Sequence, residues 1–127
     1  GQNWEAIMFA AAKKVDNLIV TIDLNGKQID GSTDDVLSMG SIDEKFKSFG
    51  WEVLKVQEGN NIDKILETLS YAKSITGKSK PIVILMYTEM GNGVDFMMNT
   101  HAWHGVAPND EQLENALNQN PETLGDY

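Results

Sequence analysis

The sequence predicts an α/β fold in which a parallel sheet lies between helices, giving three layers. The prediction rests on short β-branched, apolar runs that alternate along the chain with segments of helical apolar spacing. Strands that are joined through helices pair in parallel, because each crossover returns the chain in the same direction. The sequence has three strand-like runs, whereas sheets usually contain about five or six strands. We therefore expect an incomplete sheet.

The three strand-like runs are short and end at recognisable positions. Residues 18–22 form a β-branched run that stops at Asp23, and the absence of polar alternation predicts a strand buried on both faces. Residues 51–56 predict a second strand. The third predicted strand spans residues 82–87, directly after Pro81, and is the longest apolar run of the chain.

Two helices are predicted in the first half of the chain. The first is predicted from apolar residues at helical spacing in an alanine-rich segment of high helix propensity. Ser41 and Glu44 have the spacing of a capping box, so a second helix is expected to begin there and to end near Gly50. The apolar residues that predict the first helix are Trp4, Met8, Ala11, Ala12 and Val15.

Two further helices are predicted in the second half. Asn61 is a favourable N-cap residue, and the apolar residues after it have the spacing of one inward-facing stripe. Residues 108–110, Pro-Asn-Asp, are expected to open a last short helix. We expect one partial domain over residues 1–120 and a frayed tail over residues 121–127. The predicted stripe consists of Ile62, Ile65, Leu66, Leu69 and Ala72.

Charge and composition exclude several classes of protein. The 127 residues include 10 Lys and Arg against 19 Asp and Glu, a net charge of −9, which argues against binding to nucleic acid or to an anionic membrane. A chain without cysteine has no disulfides, no cysteine-ligated metal and no thiol catalysis. Its longest apolar run is too short to span a bilayer. Because the opening residues do not have the pattern of a secretory leader, we expect a cytoplasmic protein.

Two loops are candidate binding sites, because ligands of parallel sheets bind at the carboxyl ends of the strands. The first, residues 23–32, offers the amide oxygen of Asn25 and free carbonyls in a turn that contains glycine. Such hard oxygen donors suit Mg²⁺ that is shared with a phosphate ligand. Asn-Gly and Asp-Gly are also common turn dipeptides, so their spacing alone leaves an ordinary turn as the alternative.

The second candidate loop, residues 88–109, holds both histidines of the chain, His101 and His104, on either side of Trp103. Histidine exchanges protons and, when charged, stabilises phosphate or alkoxide groups. Two histidines at this spacing could also bind a transition metal, but no third ligand is evident in the sequence. A pair of partly exposed loop histidines is the alternative that these residues leave open.

Five blocks of the sequence carry a resemblance to a known family. The blocks are Gly1-Gln2-x-Trp4-Glu5-Ala6, Asp23-x-Asn25-Gly26-x-Gln28-Ile29-Asp30-Gly31, Phe49-Gly50-Trp51, Gly91-x-Gly93-Val94-x-Phe96-Met97 and Trp103-His104-Gly105-x-Ala107-Pro108-Asn109-Asp110. They follow the family's order and cover nearly the whole chain. Together they resemble a transketolase, specifically the thiamine diphosphate-binding half that some bacteria make as a separate N-terminal subunit.

The resemblance implies cofactor roles for particular residues of the two loops. Thiamine diphosphate would be bound with Mg²⁺ (or Ca²⁺), and the metal ligands would be the Asn25 side chain and the Lys27 carbonyl. Ile29 matches a residue that packs beside the thiazolium ring. His104 matches the catalytic histidine near the diphosphate and the reacting carbon, where it assists proton transfer. Glu5 resembles a glutamate at the dimer interface that links two active sites.

The resemblance also implies a reaction, the transfer of a two-carbon ketol unit from a ketose phosphate to an aldose phosphate. The family's cofactor motif begins with Gly-Asp-Gly and ends with an asparagine like Asn25, and this sequence contains only the end. We therefore expect a chain truncated at its N-terminus, with poor cofactor affinity and no activity alone. The expected partners are sugar phosphates, a pyrimidine-binding domain or C-terminal subunit, and a second copy of the chain.

Two other interpretations remain open. Another thiamine diphosphate enzyme, such as a deoxyxylulose-phosphate synthase or a dehydrogenase component, would share the asparagine loop. The Gln-Ile-Asp-Gly and Trp-His-Gly blocks favour transketolase over these enzymes. The third interpretation is a noncatalytic interaction module that kept the fold and lost the site.

Overall fold

The computed structural model describes residues 1–120, and the chain has the predicted alternation of helices and strands. All predicted helices and strands are present, and the loop after the first strand contains three short elements that were not predicted. The elements are α1 (Gln2–Ala12), β1 (Ile19–Leu24), β2 (Lys27–Gln28), β3 (Gly31–Ser32), α2 (Thr33–Leu37), α3 (Ile42–Ser48), β4 (Glu52–Val56), α4 (Ile62–Ser74), β5 (Ile82–Tyr87) and α5 (Asp110–Gln119).

The chain divides into two compact units. The first unit comprises residues 1–25 and 39–88 and contains β1, β4 and β5; we call it the sheet unit. Among the described residues, the second comprises residues 26–38 and 89–120; we call it the loop unit. The predicted tail lies outside the described residues, so its fraying and the domain boundary before it remain predictions. No helix in the described part of the chain is long and apolar enough to cross a membrane.

The sheet unit is built around β5, which lies between β1 and β4 and pairs in parallel with both. The first residue of β5, Ile82, is opposite Ile19 on one side and opposite Glu52 on the other. Residues 82–85 are each at most 1% exposed, as expected for a central strand that is covered on both faces. The parallel sheet with flanking helices confirms the predicted fold class.

The two faces of β5 belong to two hydrophobic clusters. Val83 and Leu85 pack in one cluster with Phe46 and Trp51, whose rings meet edge to face with centroids 5.2 Å apart. This cluster also contains residues of α1 and α3. The other cluster lies on the opposite face of the sheet, where α4 packs, and consists of Val56, Ala72, Ile82 and Ile84. Helices therefore cover both faces, which gives the three predicted layers.

A hydrogen bond from a buried tryptophan fixes α1 against the sheet. The indole N–H of Trp51 donates to the carbonyl of Ile7 at 2.9 Å, and Trp51 is only 4% exposed. Trp4 packs beside Phe46 with ring centroids 6.4 Å apart. Because a buried indole N–H needs an acceptor, this bond selects the face of α1 that meets the sheet. The face that carries Glu5 is left exposed.

The apolar sequence of β1 predicts a strand buried on both faces, but in the structure one face of β1 is exposed. Thr21 and Asp23 are exposed, whereas Ile22 and Leu24 between and after them are half-buried. Within the described residues β1 lies at an edge of the sheet and has β5 as its one neighbour. The prediction is wrong because a short apolar run has the same sequence pattern in a central strand and in an edge strand.

The apolar residues that predict α1 and α4 are only partly buried. In α1, Met8 is 46% exposed and Ala10 packs in the core instead. In α4, Ile62 and Leu66 are 63% and 54% exposed. Successive helical residues are about 100° apart, so Leu66 turns away from the sheet when Ile65 faces it. The stripe of α4 that packs against the core is Ile65, Leu69 and Ala72.

The helix caps follow the sequence signals. The Ser41 hydroxyl accepts a hydrogen bond from the N–H of Glu44 at 3.4 Å, which is one half of the predicted capping box. The Glu44 carboxylate pairs with Lys47 instead of returning to the backbone of Ser41. The Asn61 side chain accepts from the first N–H groups of α4 at 3.1 and 3.4 Å. At α5, Asn109 and Gln112 form a reciprocal capping box. These local bonds explain why the helix starts are predictable from sequence.

The first candidate loop is a hairpin followed by a short helix. β2 and β3 pair antiparallel, with Lys27 opposite Ser32 and Gln28 opposite Gly31. The Ser32 hydroxyl then caps α2 by accepting from the N–H of Asp35 at 3.1 Å. Strands of two residues are too short to produce a periodic pattern, so the sequence predicts only the turns.

We expect Leu85→Ala to lower the free energy of unfolding by about 2–5 kcal/mol, because it leaves a cavity in the centre of the sheet. Leu66→Ala is the matched control, since the same atoms are removed from a side chain that is 54% exposed; we expect a change within about 0.5 kcal/mol. Urea unfolding followed by circular dichroism measures both. Equal losses in the two variants would contradict the described burial of α4 and β5.

Candidate functional site

The carboxyl ends of β1, β5 and β4 lie at the same edge of the sheet unit, since the three strands are parallel. Asn25 follows the last residue of β1 and is half-buried. Gly26 follows with φ +68°, and no atom beyond its two chain neighbours lies within 4 Å of the position where a Cβ would stand. The chain therefore turns at a residue without a side chain, which leaves room for a ligand to approach the backbone.

Hydrogen bonds join the strand ends beside Asn25. The Thr88 hydroxyl, just after β5, donates to the Asp23 carboxylate in β1. The Thr88 N–H donates to the Leu24 carbonyl at 3.4 Å. After β4, the Gly59 N–H donates to the last carbonyl of β5 at 2.7 Å. Sequence reasoning missed Thr88 and Gly59, because neither residue belongs to a motif.

In the loop unit, Lys27 and Ile29 lie in the β2–β3 hairpin. Lys27 is half-buried in β2, and Ile29 is 63% exposed in the turn between the strands. Between them, the side-chain Nε2 of Gln28 is buried and has no hydrogen-bond partner among the described residues. A buried amide donor without an acceptor is costly, so Gln28 is a further candidate for contact with a ligand or water.

Trp103 anchors the turn of the long loop that carries the histidines. Its indole N–H donates to the Phe96 carbonyl at 2.9 Å, and the two rings meet edge to face with centroids 5.3 Å apart. His104 is the next residue, and its backbone N–H donates to the His101 carbonyl at 3.0 Å. Both histidines are exposed. They therefore share one turn, in which Trp103 packs inward and the two imidazoles remain accessible.

The preceding part of this loop is tied to α5. The Asp95 N–H donates to the Gln119 side-chain oxygen at 2.8 Å, and the Gln119 amide donates back to the Asp95 carboxylate at 2.8 Å. The Asn120 amide donates to the Gly93 carbonyl at 2.9 Å. These bonds hold a long irregular segment in one conformation, as is common for loops that carry functional residues.

The two histidines do not belong to a cluster of metal ligands. In residues 1–120 no group of three or more His, Cys, Asp and Glu side chains could hold a metal ion. The interpretation of His101 and His104 as a transition-metal site therefore finds no third ligand among these side-chain types.

The comparison with known families covers both units. The family described as "Transketolase, thiamine diphosphate binding domain" matches residues 1–122. The chain belongs to the transketolase family. This finding confirms the resemblance that the five sequence blocks carry, and the matched residues include Glu5, Asn25, Lys27, Ile29 and His104.

Individual transketolases are similar along almost the whole chain. An apulose-4-phosphate transketolase subunit of Actinobacillus succinogenes is 39% identical over 94% of this chain and 42% of its own length. A 6-deoxy-6-sulfo-D-fructose transketolase subunit of a Clostridium strain is 36% identical over 92% of this chain and 42% of its own length. This chain thus spans about two fifths of these relatives.

The solved transketolase structure of Campylobacter jejuni superposes with a TM-score of 0.82 at 28% identity, over 94% of this chain and 18% of that one. These two relatives and this structure are transketolases or transketolase subunits. They favour a transketolase domain over the other thiamine diphosphate enzymes and over a noncatalytic interaction module with the same fold.

We expect Gly91→Ala to disrupt the long loop, because Gly91 has φ +74° and a Cβ would lie 2.5 Å from the carbonyl oxygen of Met97. Backbone amide resonances of residues 89–104 should shift, and the indole N–H signal of Trp103 should move with them. Gly105→Ala is the control, since Gly105 also has positive φ (+86°) but open space at the Cβ position.

The Gly105→Ala variant should lose about 1 kcal/mol of stability through backbone strain and keep the loop resonances beyond its neighbours. If Gly91→Ala shifted the amide resonances of no more residues than Gly105→Ala does, the described contact between Gly91 and Met97 would be contradicted.

Proposed function

We propose that this chain forms the diphosphate-binding part of a transketolase, a transferase that moves a two-carbon ketol unit from a ketose phosphate to an aldose phosphate. Membership of the family over residues 1–122 carries the proposal. The two relatives above are named for different sugars, so we assign sugar phosphates as a class and no single sugar. A cysteine-free protein that handles phosphorylated sugars fits the cytoplasm.

Asn25 and Lys27 fit a magnesium site by their donor chemistry. The amide oxygen of Asn25 and the main-chain carbonyl of Lys27 are hard, neutral oxygen donors of the kind that Mg²⁺ prefers. Gly26 between them allows the turn that both donors need. Because Mg²⁺ takes about six oxygen ligands, the cofactor diphosphate, water and other protein groups must supply the rest. Ca²⁺ accepts the same donors in a looser geometry.

Two further residues support a bound cofactor in the loop unit. The exposed side chain of Ile29 offers an apolar surface on which the thiazolium ring can pack. The buried amide of Gln28 lacks an acceptor among the described residues, and an oxygen of a ligand or an ordered water would satisfy it.

His104 is proposed as the catalytic residue of this chain. Thiamine diphosphate supplies the electron sink that carbon–carbon bond cleavage requires. The imidazole of His104 is exposed, and the Trp103 anchor holds its backbone in place. A histidine held in this way can give a proton to a substrate oxygen that becomes negative and take one back from a hydroxyl.

We propose that groups outside residues 1–127 complete the active site. The chain spans about two fifths of relatives that are themselves named as subunits. We therefore propose that a pyrimidine-binding domain or C-terminal subunit supplies the groups that contact the aminopyrimidine ring.

The outer face of α1 is proposed as an interface with a second copy of the chain. Glu5 lies in the first turn of α1, and Met8 and Phe9 beside it are 46% and 61% exposed. Lys13 lies 5.8 Å from the centroid of the Phe9 ring. The apolar side chains of Met8 and Phe9 thus lie between the opposite charges of Glu5 and Lys13, a composition that suits an interface. If two α1 helices pack antiparallel, Glu5 of one copy lies near Lys13 of the other.

We expect Asn25→Ala to weaken Mg²⁺-dependent binding of thiamine diphosphate at least about tenfold, because a metal ligand is lost. Calorimetry would be run on this chain and on a version extended upstream through Gly-Asp-Gly, each with and without Mg²⁺. Asn118→Ala is the matched control, since Asn118 is exposed on α5, and it should bind like wild type. Equal binding by the Asn25 and Asn118 variants of the extended chain would contradict the assigned role of Asn25.

We expect Phe9→Asp to shift the chain from dimer to monomer, since it places a carboxylate at the centre of the proposed α1 interface. Sedimentation velocity at several protein concentrations measures the change. Tyr71→Asp is the control, because Tyr71 is similarly exposed (55%) but lies on α4. A wild-type chain that sediments as a monomer at all concentrations would overturn the proposed interface.

A further inference from the structure

Thr88 holds the end of β1 through two different hydrogen bonds. Its hydroxyl donates to the Asp23 carboxylate, and its N–H donates to the Leu24 carbonyl. Asp23 and Leu24 are the two residues immediately before Asn25. The position of Thr88 therefore restrains the backbone from which the Asn25 side chain projects.

The hydroxyl bond is the stronger of the two bonds that Thr88 makes. The bond from the Thr88 N–H to Leu24 is 3.4 Å long, beyond the usual range for N–H···O hydrogen bonds, and is therefore weak. The hydroxyl of Thr88 instead bonds to a charged acceptor, and hydrogen bonds of that kind are stronger than neutral ones. Asp23 is exposed, so without this donor water would solvate its carboxylate. The backbone pairing of β1 with β5 would remain, but the side-chain bond that holds the end of β1 to Thr88 would be lost.

Gly59 holds Thr88 from the side of β4. A Cβ at position 59 would lie 2.5 Å from the Tyr87 carbonyl oxygen and 2.7 Å from the Thr88 methyl carbon. The Gly59 N–H also donates to that same carbonyl at 2.7 Å. Gly59 is buried. Its close contacts with Tyr87 and Thr88 therefore restrict the backbone and the χ1 rotation of Thr88. A continuous set of contacts thus runs from the end of β4 through the end of β5 to the end of β1.

We propose that Thr88 is a positioning residue that orients Asn25 for the metal of the cofactor site. The inference rests on the proposed function for the role of Asn25 as a ligand, whereas the positioning of Asn25 is a property of the chain itself. A threonine suits this place because its hydroxyl meets Asp23 while its methyl group packs toward Gly59. Serine would keep the hydroxyl, and valine would keep the shape without it.

The first test follows the side-chain amide of Asn25 in the unliganded chain by ¹⁵N relaxation, with its signal assigned by its loss in Asn25→Ala. Thr88→Val should lower the order parameter of this amide, and Thr88→Ser should restore it to the wild-type value. Thr68→Val is the matched control, since the Thr68 hydroxyl donates to the Lys64 carbonyl within α4. An Asn25 amide that is equally ordered in wild type and in Thr88→Val would overturn the inference.

The second test is calorimetric titration of Mg²⁺ in the presence of thiamine diphosphate, with the chain extended through Gly-Asp-Gly. Thr88→Val should weaken the Mg²⁺ dependence roughly tenfold, as for groups that orient metal ligands, while Thr88→Ser and Thr68→Val bind like wild type. Unchanged binding by Thr88→Val would overturn the role toward the metal. If wild type itself showed no Mg²⁺-dependent binding, the proposed function would fail, while the relaxation data would still decide whether Thr88 positions Asn25.

Discussion

The pairing of β5 with a neighbour on each side sets the place of every strand end in the sheet unit. A strand with both edges and both faces covered can present no polar side chain, and residues 82–85 satisfy this condition. Its parallel register with β1 puts Tyr87 opposite Leu24. Asn25 and Thr88 therefore leave the sheet side by side, and the chemistry proposed for this edge depends on that register.

Local sequence signals predicted most of the helices and strands. Which apolar residues are buried depends on long-range packing, which those signals do not show. Ser41 and Asn61 mark helix starts through bonds to nearby N–H groups, so their sequence neighbourhoods suffice. Leu66 has the spacing of a buried residue but is exposed, because the sheet meets only a narrow stripe of α4. The burial of β1 was predicted wrongly for a related reason. The sequence of a strand does not show which strands and helices will pack beside it.

The candidate site was predictable only in part from the residues themselves. Asn25 stood out as an amide in a glycine turn, and His104 as a histidine in a long loop. An ordinary turn and solvated histidines were alternatives that these residues left open. Only the family resemblance assigned Asn25 and His104 to a cofactor, and it also pointed to Lys27 and Ile29. Thr88 escaped both kinds of reasoning, since its partner Asp23 is 65 residues away along the chain and threonine has no distinctive pattern.

The acidity of the chain is consistent with a site that works through a divalent cation. With a net charge of −9 the protein repels a free diphosphate and raises the local concentration of cations. Asp23 adds negative charge two residues before Asn25, and its bond to Thr88 keeps that carboxylate engaged by a neutral donor. A divalent cation bound at Asn25 would offset this negative charge. Diphosphate binding at this edge should therefore depend on the metal far more than on any lysine of the chain.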